Sequence, residues 1–267
     1  MNLLSKVIKA IYSIYALLLF VVLMLVLLPF IFIASFWGKV SGGNVIYNIC
    51  KVWGHIWTFL VGIRHYNIYD ALYNHEKQYI FVANHISYMD VPVMIKVMEK
   101  QNFRILGKAE IAKVPIFGFI YKKAVVMVDR KSPKDRAESI RILMSVIRKN
   151  ISVFIFPEGT FNETGQPLKH FFDGAFRVAI ETGTPIKPII FLDAYDRLNY
   201  NSIFSLTPGR SRAVFLEEII TEGLAIQDLP NLKATVHKNM EAALIKYNAS
   251  WINNFAPDLH PTSVHGK

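Results

Sequence analysis

The chain has 267 residues, of which 52% are hydrophobic and only 19% charged. This excludes a disordered or low-complexity protein, and a mean hydropathy of +0.30 is greasier than an ordinary soluble domain. The net charge is +10 and Cys50 is the single cysteine, so no internal disulfide and no cysteine-based zinc site can form.

Charge and grease are unevenly spread. The first acidic residue is Asp70, whereas Lys6, Lys9, Lys39, Lys51 and Arg64 all precede it. A basic, apolar head points to an anionic membrane surface before it points to nucleic acid. Ala10 to Gly38 is an unbroken run of uncharged residues. As a helix it would be about 43 Å long, against about 30 Å of hydrocarbon in a bilayer. Pro29 is its natural bend point. A cleaved signal peptide fits poorly, because the run is too long and no small-x-small site follows.

Ser41-Gly42-Gly43 reads as a turn. Beyond it, Asn44 to Gly62 places Val45, Ile49, Val52, Ile56, Phe59 and Leu60 at near-helical spacing. Tyr47, Trp53 and Trp57 beside Lys51 and His55 suit a headgroup layer. Two geometries are open: a single crossing by the first helix, or a hairpin dipping into one leaflet. Lys6 and Lys9 favour a cytoplasmic amino terminus.

From residue 70 the pattern changes to short apolar runs alternating with amphipathic stretches. Tyr79–Ala83, Phe103–Leu106, Ala124–Val128, Ser152–Phe156, Ile186–Leu192 and Arg212–Glu217 read as strands. Ser132-Pro133 caps a helix lined by Ala137, Ile140, Met144 and Ile147. A later helix carries Leu232, Val236, Met240, Leu244, Tyr247 and Trp251 on one face. The expected fold is an α/β domain with a mainly parallel mixed sheet flanked by helices, preceded by an apolar helical membrane-anchoring segment. The divisions are 1–69 for the anchor, 70–256 for the α/β domain and 257–267 for a tail.

In such folds chemistry sits beyond the carboxyl ends of strands. The first of these strands runs into Asn84-His85, with Asp90 five residues after the histidine. A carboxylate at that spacing can hold an imidazole in one tautomer, so that the pair acts as a base and its orienter. Asp90 near a helix start is also plain dipole complementarity. The following strands end in Gly107-Lys108, Val128-Asp129-Arg130 and Phe156-Pro157-Glu158-Gly159-Thr160, and the next contains Lys187-Pro188. Ser87 is a nucleophile only in principle and reads better as a cap. No Gly-x-Ser-x-Gly elbow and no nucleotide-binding glycine loop is present.

These ordered blocks resemble those of the glycerolipid acyltransferases, and most of all the 1-acyl-sn-glycerol-3-phosphate (lysophosphatidic acid) acyltransferases. The resemblance covers about residues 80 to 191. It implies an O-acyltransferase of phospholipid biosynthesis that moves a fatty acyl group from acyl-CoA or acyl-acyl-carrier protein to a lysolipid hydroxyl. It implies no metal and no cofactor beyond the donor substrate. By matching position, His85 is the base and Asp90 its partner. Asn84 belongs to the first block and counts with the substrate-binding positions. Lys108 and Arg130 match positions that contact the acceptor's phosphate, Glu158, Gly159 and Thr160 match the block that shapes acceptor binding, and Pro188 matches a block assigned to structure or to the acyl donor.

The implied setting is a membrane bilayer, specifically the cytoplasmic membrane with the catalytic domain facing the cytoplasm, and no nucleic-acid partner. Two positions depart from the pattern: Phe161 stands where Arg is usual, and Phe172 stands where Lys is common. Lys169, His170 and Arg177 are nearby cations that could replace them. The departures keep other acceptors open, such as a lysophospholipid or an acylated amino-acid lipid. A non-catalytic lipid-binding protein is the remaining alternative.

Overall fold

The computed structural model describes residues 3–129 and 132–252. Seven strands form one sheet: β1 (Ile63–Tyr69), β2 (Ile80–Ala83), β3 (Phe103–Lys108), β4 (Val125–Val128), β5 (Ser152–Ile155), β6 (Ile186–Phe191) and β7 (Gly209–Phe215). Their order is β1-β7-β6-β2-β5-β3-β4. Every neighbouring pair is parallel except β6 and β7. The expected mainly parallel mixed sheet is therefore present, and its one reversal turns β7 and β1 against the rest. Phe81, Phe154, Phe191 and Phe215 lie fully buried within it.

Strand β1 falls within the 1–69 stretch assigned to the anchor, and Ile63–Tyr69 pairs along its whole length with Gly209–Phe215 of the sheet. The stretch Ile-Arg-His-Tyr-Asn-Ile-Tyr is an edge strand. An edge strand buries little, so it lacks the apolar run that marked the inner strands.

The helices flank the sheet. They are α1 (Leu3–Ala34), α2 (Gly43–Leu60), α3 (Asp90–Val97), α4 (Phe117–Ala124), α5 (Pro133–Ile147), α6 (Gly174–Thr182), α7 (Ala194–Arg197) and α8 (Leu229–Lys246). Ser132 Oγ accepts the Asp135 N–H at 3.1 Å, and Pro133 opens α5. This is the capping pair read from sequence. On α8, Leu232, Val236, Met240 and Leu244 are buried, whereas Tyr247 and Trp251 follow the helix end.

Helix α1 runs unbroken past Pro29 and joins α2 through a π-turn at Gly38–Gly42. The contacts Tyr12–Val61, Ala16–Trp57 and Phe20–Trp53 step forward on α1 and back from the end of α2, so the two helices are antiparallel. The Trp57 indole N–H donates to the Ala16 carbonyl at 2.9 Å. Ser41-Gly42-Gly43 is not the reversal itself, since Gly42 and Gly43 are both helical. Glycine is needed at 42 for proximity: a Cβ there would lie 2.4 Å from the Ala34 carbonyl oxygen.

The hairpin is seated on the α/β body. The Leu206 N–H donates to Ser13 Oγ at 3.1 Å. Buried Arg104 donates to the Lys39 and Val40 carbonyls. Tyr47 of α2 donates its hydroxyl to the Ala124 carbonyl at 2.8 Å and accepts the Ile105 N–H at 3.2 Å. On the outer side, Leu4, Ile8, Leu18, Val22, Val26 and Phe30 stay exposed.

Tyr47→Phe should remove two buried hydrogen bonds to the backbone and destabilise the protein by about 1–3 kcal/mol. Denaturant unfolding of the two proteins in the same detergent measures it.

Candidate active site

Strand β2 ends at Ala83, and the loop that follows carries His85 to the start of α3. Asp90, the first residue of α3, is fully buried. Its Oδ2 accepts the Ile86 N–H at 2.7 Å, the Ser87 N–H at 2.9 Å and His85 Nδ1 at 2.8 Å. An oxygen already receiving two N–H groups must accept from the imidazole as well. His85 Nδ1 therefore carries the proton, and Nε2 is left as the basic nitrogen.

Among the described residues, Asp90 Oδ1 is buried without a hydrogen-bond partner. Burial pushes the Asp90 carboxyl up from its ordinary value, while His85 and the two backbone donors pull it back. Charge-assisted hydrogen bonds contribute about 1.5–3 kcal/mol each. Three of them offset only part of the several kcal/mol that burying a carboxylate costs, since desolvation is still the larger influence.

The imidazole lies in an aromatic slot. Phe156 stacks on one face with ring centroids 4.3 Å apart, and Phe161 meets it edge-on at 4.5 Å. Tyr88 in turn packs edge-on against Phe161 at 4.9 Å. The side chain of His85 keeps 19% of its surface open. The slot packs the ring, and part of the side chain stays reachable from outside.

Glu158 ties the base loop to the loop after β5. Its Oε1 accepts the His85 N–H and its Oε2 the Lys169 N–H, both at 2.8 Å. Asn162 adds a bond from its own N–H to the His85 carbonyl at 2.7 Å. Burial pushes Glu158 up to about 8 against its two backbone donors, which favour the charged form. Gly159 holds a left-handed φ of +74°, the reason glycine follows Glu158. Thr160 is exposed, and its Oγ1 accepts the Lys169 ammonium at 2.6 Å.

The remaining sequence-derived positions divide. Lys108 ends β3 half-buried, at the same end of the sheet as His85. Arg130 lies outside the described residues. Asn84 is 1% exposed, and its amide is spent on the Phe191 backbone, donating to the carbonyl at 3.1 Å and accepting the N–H at 2.7 Å. It joins β2 to β6. Pro188 is buried inside β6 beside Val82, short of the strand end.

Lys187 does not converge on the site either. It is the second residue of β6, and its ammonium donates to the Leu72 carbonyl at 2.7 Å. Spacing alone conceals how far along a strand a residue sits. Ser87 is no nucleophile: its fully buried hydroxyl donates to the Leu198 carbonyl and accepts the Met89 N–H. The sequence reading gave no role to Phe156, Phe161 or Asn162 beside the base. Its one available signal was Asn162-x-Thr164, a side-chain turn in which the Asn162 carbonyl oxygen accepts the Thr164 N–H at 3.1 Å.

The profile of the Acyltransferase family matches residues 65–192. Over that stretch the chain is similar to an acyltransferase domain. The resemblance drawn from the four ordered blocks agrees with that match. The chain is 29% identical over 162 residues to the chloroplastic 1-acyl-sn-glycerol-3-phosphate acyltransferase BAT2 of Brassica napus, covering 60% of this chain and 42% of that one. It is 28% identical over 171 residues to the human 1-acyl-sn-glycerol-3-phosphate acyltransferase beta, covering 62% and 59%. The chain thus spans about half the length of these curated relatives. The fold is shared with the crystal structure of the 1-acyl-sn-glycerophosphate acyltransferase of Thermotoga maritima. The TM-score is 0.68 at 19% identity, over 91% of this chain and 99% of that one.

Two outcomes follow from this geometry. Asp90→Asn replaces an oxygen that accepts three N–H groups and releases the imidazole tautomer. Turnover should fall at least about a hundredfold, measured as kcat on protein whose circular dichroism is unchanged. Glu158 has a raised folded value, so its contribution to stability is full below about pH 4.5 and is lost as pH rises to about 8. Wild-type stability should therefore decline across that window by at most about 1.4 kcal/mol per pH unit relative to Glu158→Gln. Denaturant midpoints of both proteins at pH 5 and pH 8 measure the difference.

Proposed function

We propose that the protein transfers a fatty acyl group from an acyl thioester, acyl-CoA or acyl-acyl-carrier protein, to the free hydroxyl of 1-acyl-glycerol-3-phosphate, giving phosphatidic acid. The observation that carries this is the buried Asp90 carboxylate holding His85 Nδ1 at 2.8 Å, which leaves Nε2 as the basic nitrogen of a partly exposed side chain. An alcohol is a weak nucleophile until a base takes its proton during attack. Nε2 takes that proton as the oxygen bonds to the thioester carbonyl carbon. The tetrahedral intermediate then expels the thiolate, and the imidazolium returns the proton to sulfur. Asp90 steadies the imidazolium between the two transfers. The thioester is already activated toward attack, so this sequence of steps is complete with side chains alone.

A second reading keeps the chemistry and changes the acceptor to another lysolipid. Phe161 favours it, because an aromatic ring packs against the base where the related blocks usually carry arginine.

The site is proposed to work at a membrane, on the cytoplasmic face of the cytoplasmic membrane. The exposed apolar surface of α1, the one helix among the described residues long and apolar enough to cross a bilayer, supports attachment. Its antiparallel pairing with α2 supports a hairpin entering one leaflet over a single crossing.

Purified protein given lysophosphatidate and an acyl thioester should release one thiol per phosphatidate formed. His85→Ala should reduce that rate by about 10²–10⁴. Undiminished turnover in His85→Ala would remove the base from the mechanism. A parallel panel of lysophosphatidate, other lysophospholipids and acylated amino-acid lipids ranks the acceptors.

A further inference from the structure

The sequence leaves three cations that could stand in for the arginine displaced by Phe161: Lys169, His170 and Arg177. The structure separates them. Arg177 lies on α6 and is committed to Glu181, with Nε 2.6 Å from the carboxylate. The His170 ring packs toward Phe172 at 6.1 Å. Lys169 alone reaches back over the loop that carries Glu158, Gly159 and Thr160. Its ammonium donates to Thr160 Oγ1 at 2.6 Å and to the Phe161 carbonyl at 3.2 Å.

Both acceptors are neutral, and among the described residues no carboxylate lies within ion-pair distance of this ammonium. An ammonium has three protons to donate, and two are used. Glu158 in the same loop is spent on the backbone, including the N–H of Lys169 itself. The Thr160 hydroxyl accepts from Lys169, so its own proton is directed elsewhere.

A half-buried cation is thus held by neutral groups beside an exposed hydroxyl. It sits one backbone carbonyl away from the ring that touches the catalytic imidazole. A purely structural strut would gain more from a carboxylate partner than from two neutral acceptors. The arrangement leaves the positive charge available to an incoming anion.

We propose that the Lys169 ammonium, held over the Glu158–Gly159–Thr160 turn by Thr160 Oγ1 and the Phe161 carbonyl, binds the phosphate of the acceptor lipid. This rests on the acyl-transfer reading and assigns its headgroup contact. Phe161 then forms an apolar wall between headgroup and base, and the phosphate is gripped from the loop behind that wall. Thr160 supplies a second donor beside the ammonium.

The test compares lysophosphatidate with a monoacylglycerol of the same acyl chain, which presents a hydroxyl and no phosphate. Lys169→Met should raise KM for lysophosphatidate roughly tenfold to a hundredfold, the size of one charge-assisted contact. It should leave kcat within about threefold and KM for monoacylglycerol unchanged. Lys169→Arg should restore most of the loss. A rise in KM for both acceptors together, or for neither, would overturn the proposal and leave Lys169 a loop staple.

Equilibrium binding of both lipids in detergent micelles provides a readout independent of turnover. Wild type should prefer lysophosphatidate and Lys169→Met should lose that preference, whereas equal preference in both proteins refutes the assignment. Absence of thiol release in wild type with every acceptor would instead sink the acyl-transfer reading, and the binding comparison would still decide the role of Lys169.

Discussion

One carboxylate oxygen organises the site. Asp90 Oδ2 takes two backbone N–H groups and the imidazole N–H, and each of these would be an orphan without it. The two backbone bonds close the loop between β2 and α3 into a tight turn. The third aims the ring of His85. Loop shape and tautomer are therefore set by the same atom, and neither can change without disturbing the other. Glu158 does the complementary task from the next loop, where both oxygens bind backbone. Two buried acids thus build the site chiefly by holding main chain.

That division of labour explains what sequence could and could not show. The strands, the capped helix α5 and the long helix α8 were legible because inner strands and amphipathic helices have apolar periods. Edge strand β1 was not, because Arg64, His65, Tyr66 and Asn67 break any such run. The pairing of His85 with Asp90 was legible, since five residues across a loop and a first helical turn bring the two together. The meaning of Glu158 was not, because a carboxylate bound to backbone looks in sequence like one aimed at substrate.

Asn84, Lys187 and Pro188 show the other limit. All three lie in or beside strands whose ends bear chemistry. Asn84 turns inward to lock β2 to β6, and Lys187 sits at the far end of its strand. Pro188 is buried between neighbours in the sheet. Alternation along a strand, and height within the sheet, decide what a side chain meets, and neither is written in spacing alone. The aromatic slot was hidden for the same reason, since Phe156 and Phe161 approach His85 from a different strand and loop.

The reversed strand β7 has a mechanical consequence. Because it runs against β6, the chain must return from the end of β6 to start β7 at the same end of the sheet that holds His85. The returning segment touches both partners of that journey. Its Leu198 carbonyl receives the hydroxyl of Ser87 in the base loop, and its Leu206 N–H is received by Ser13 of α1. One short segment therefore bonds both the greasy outer helix and the turn that aims the imidazole.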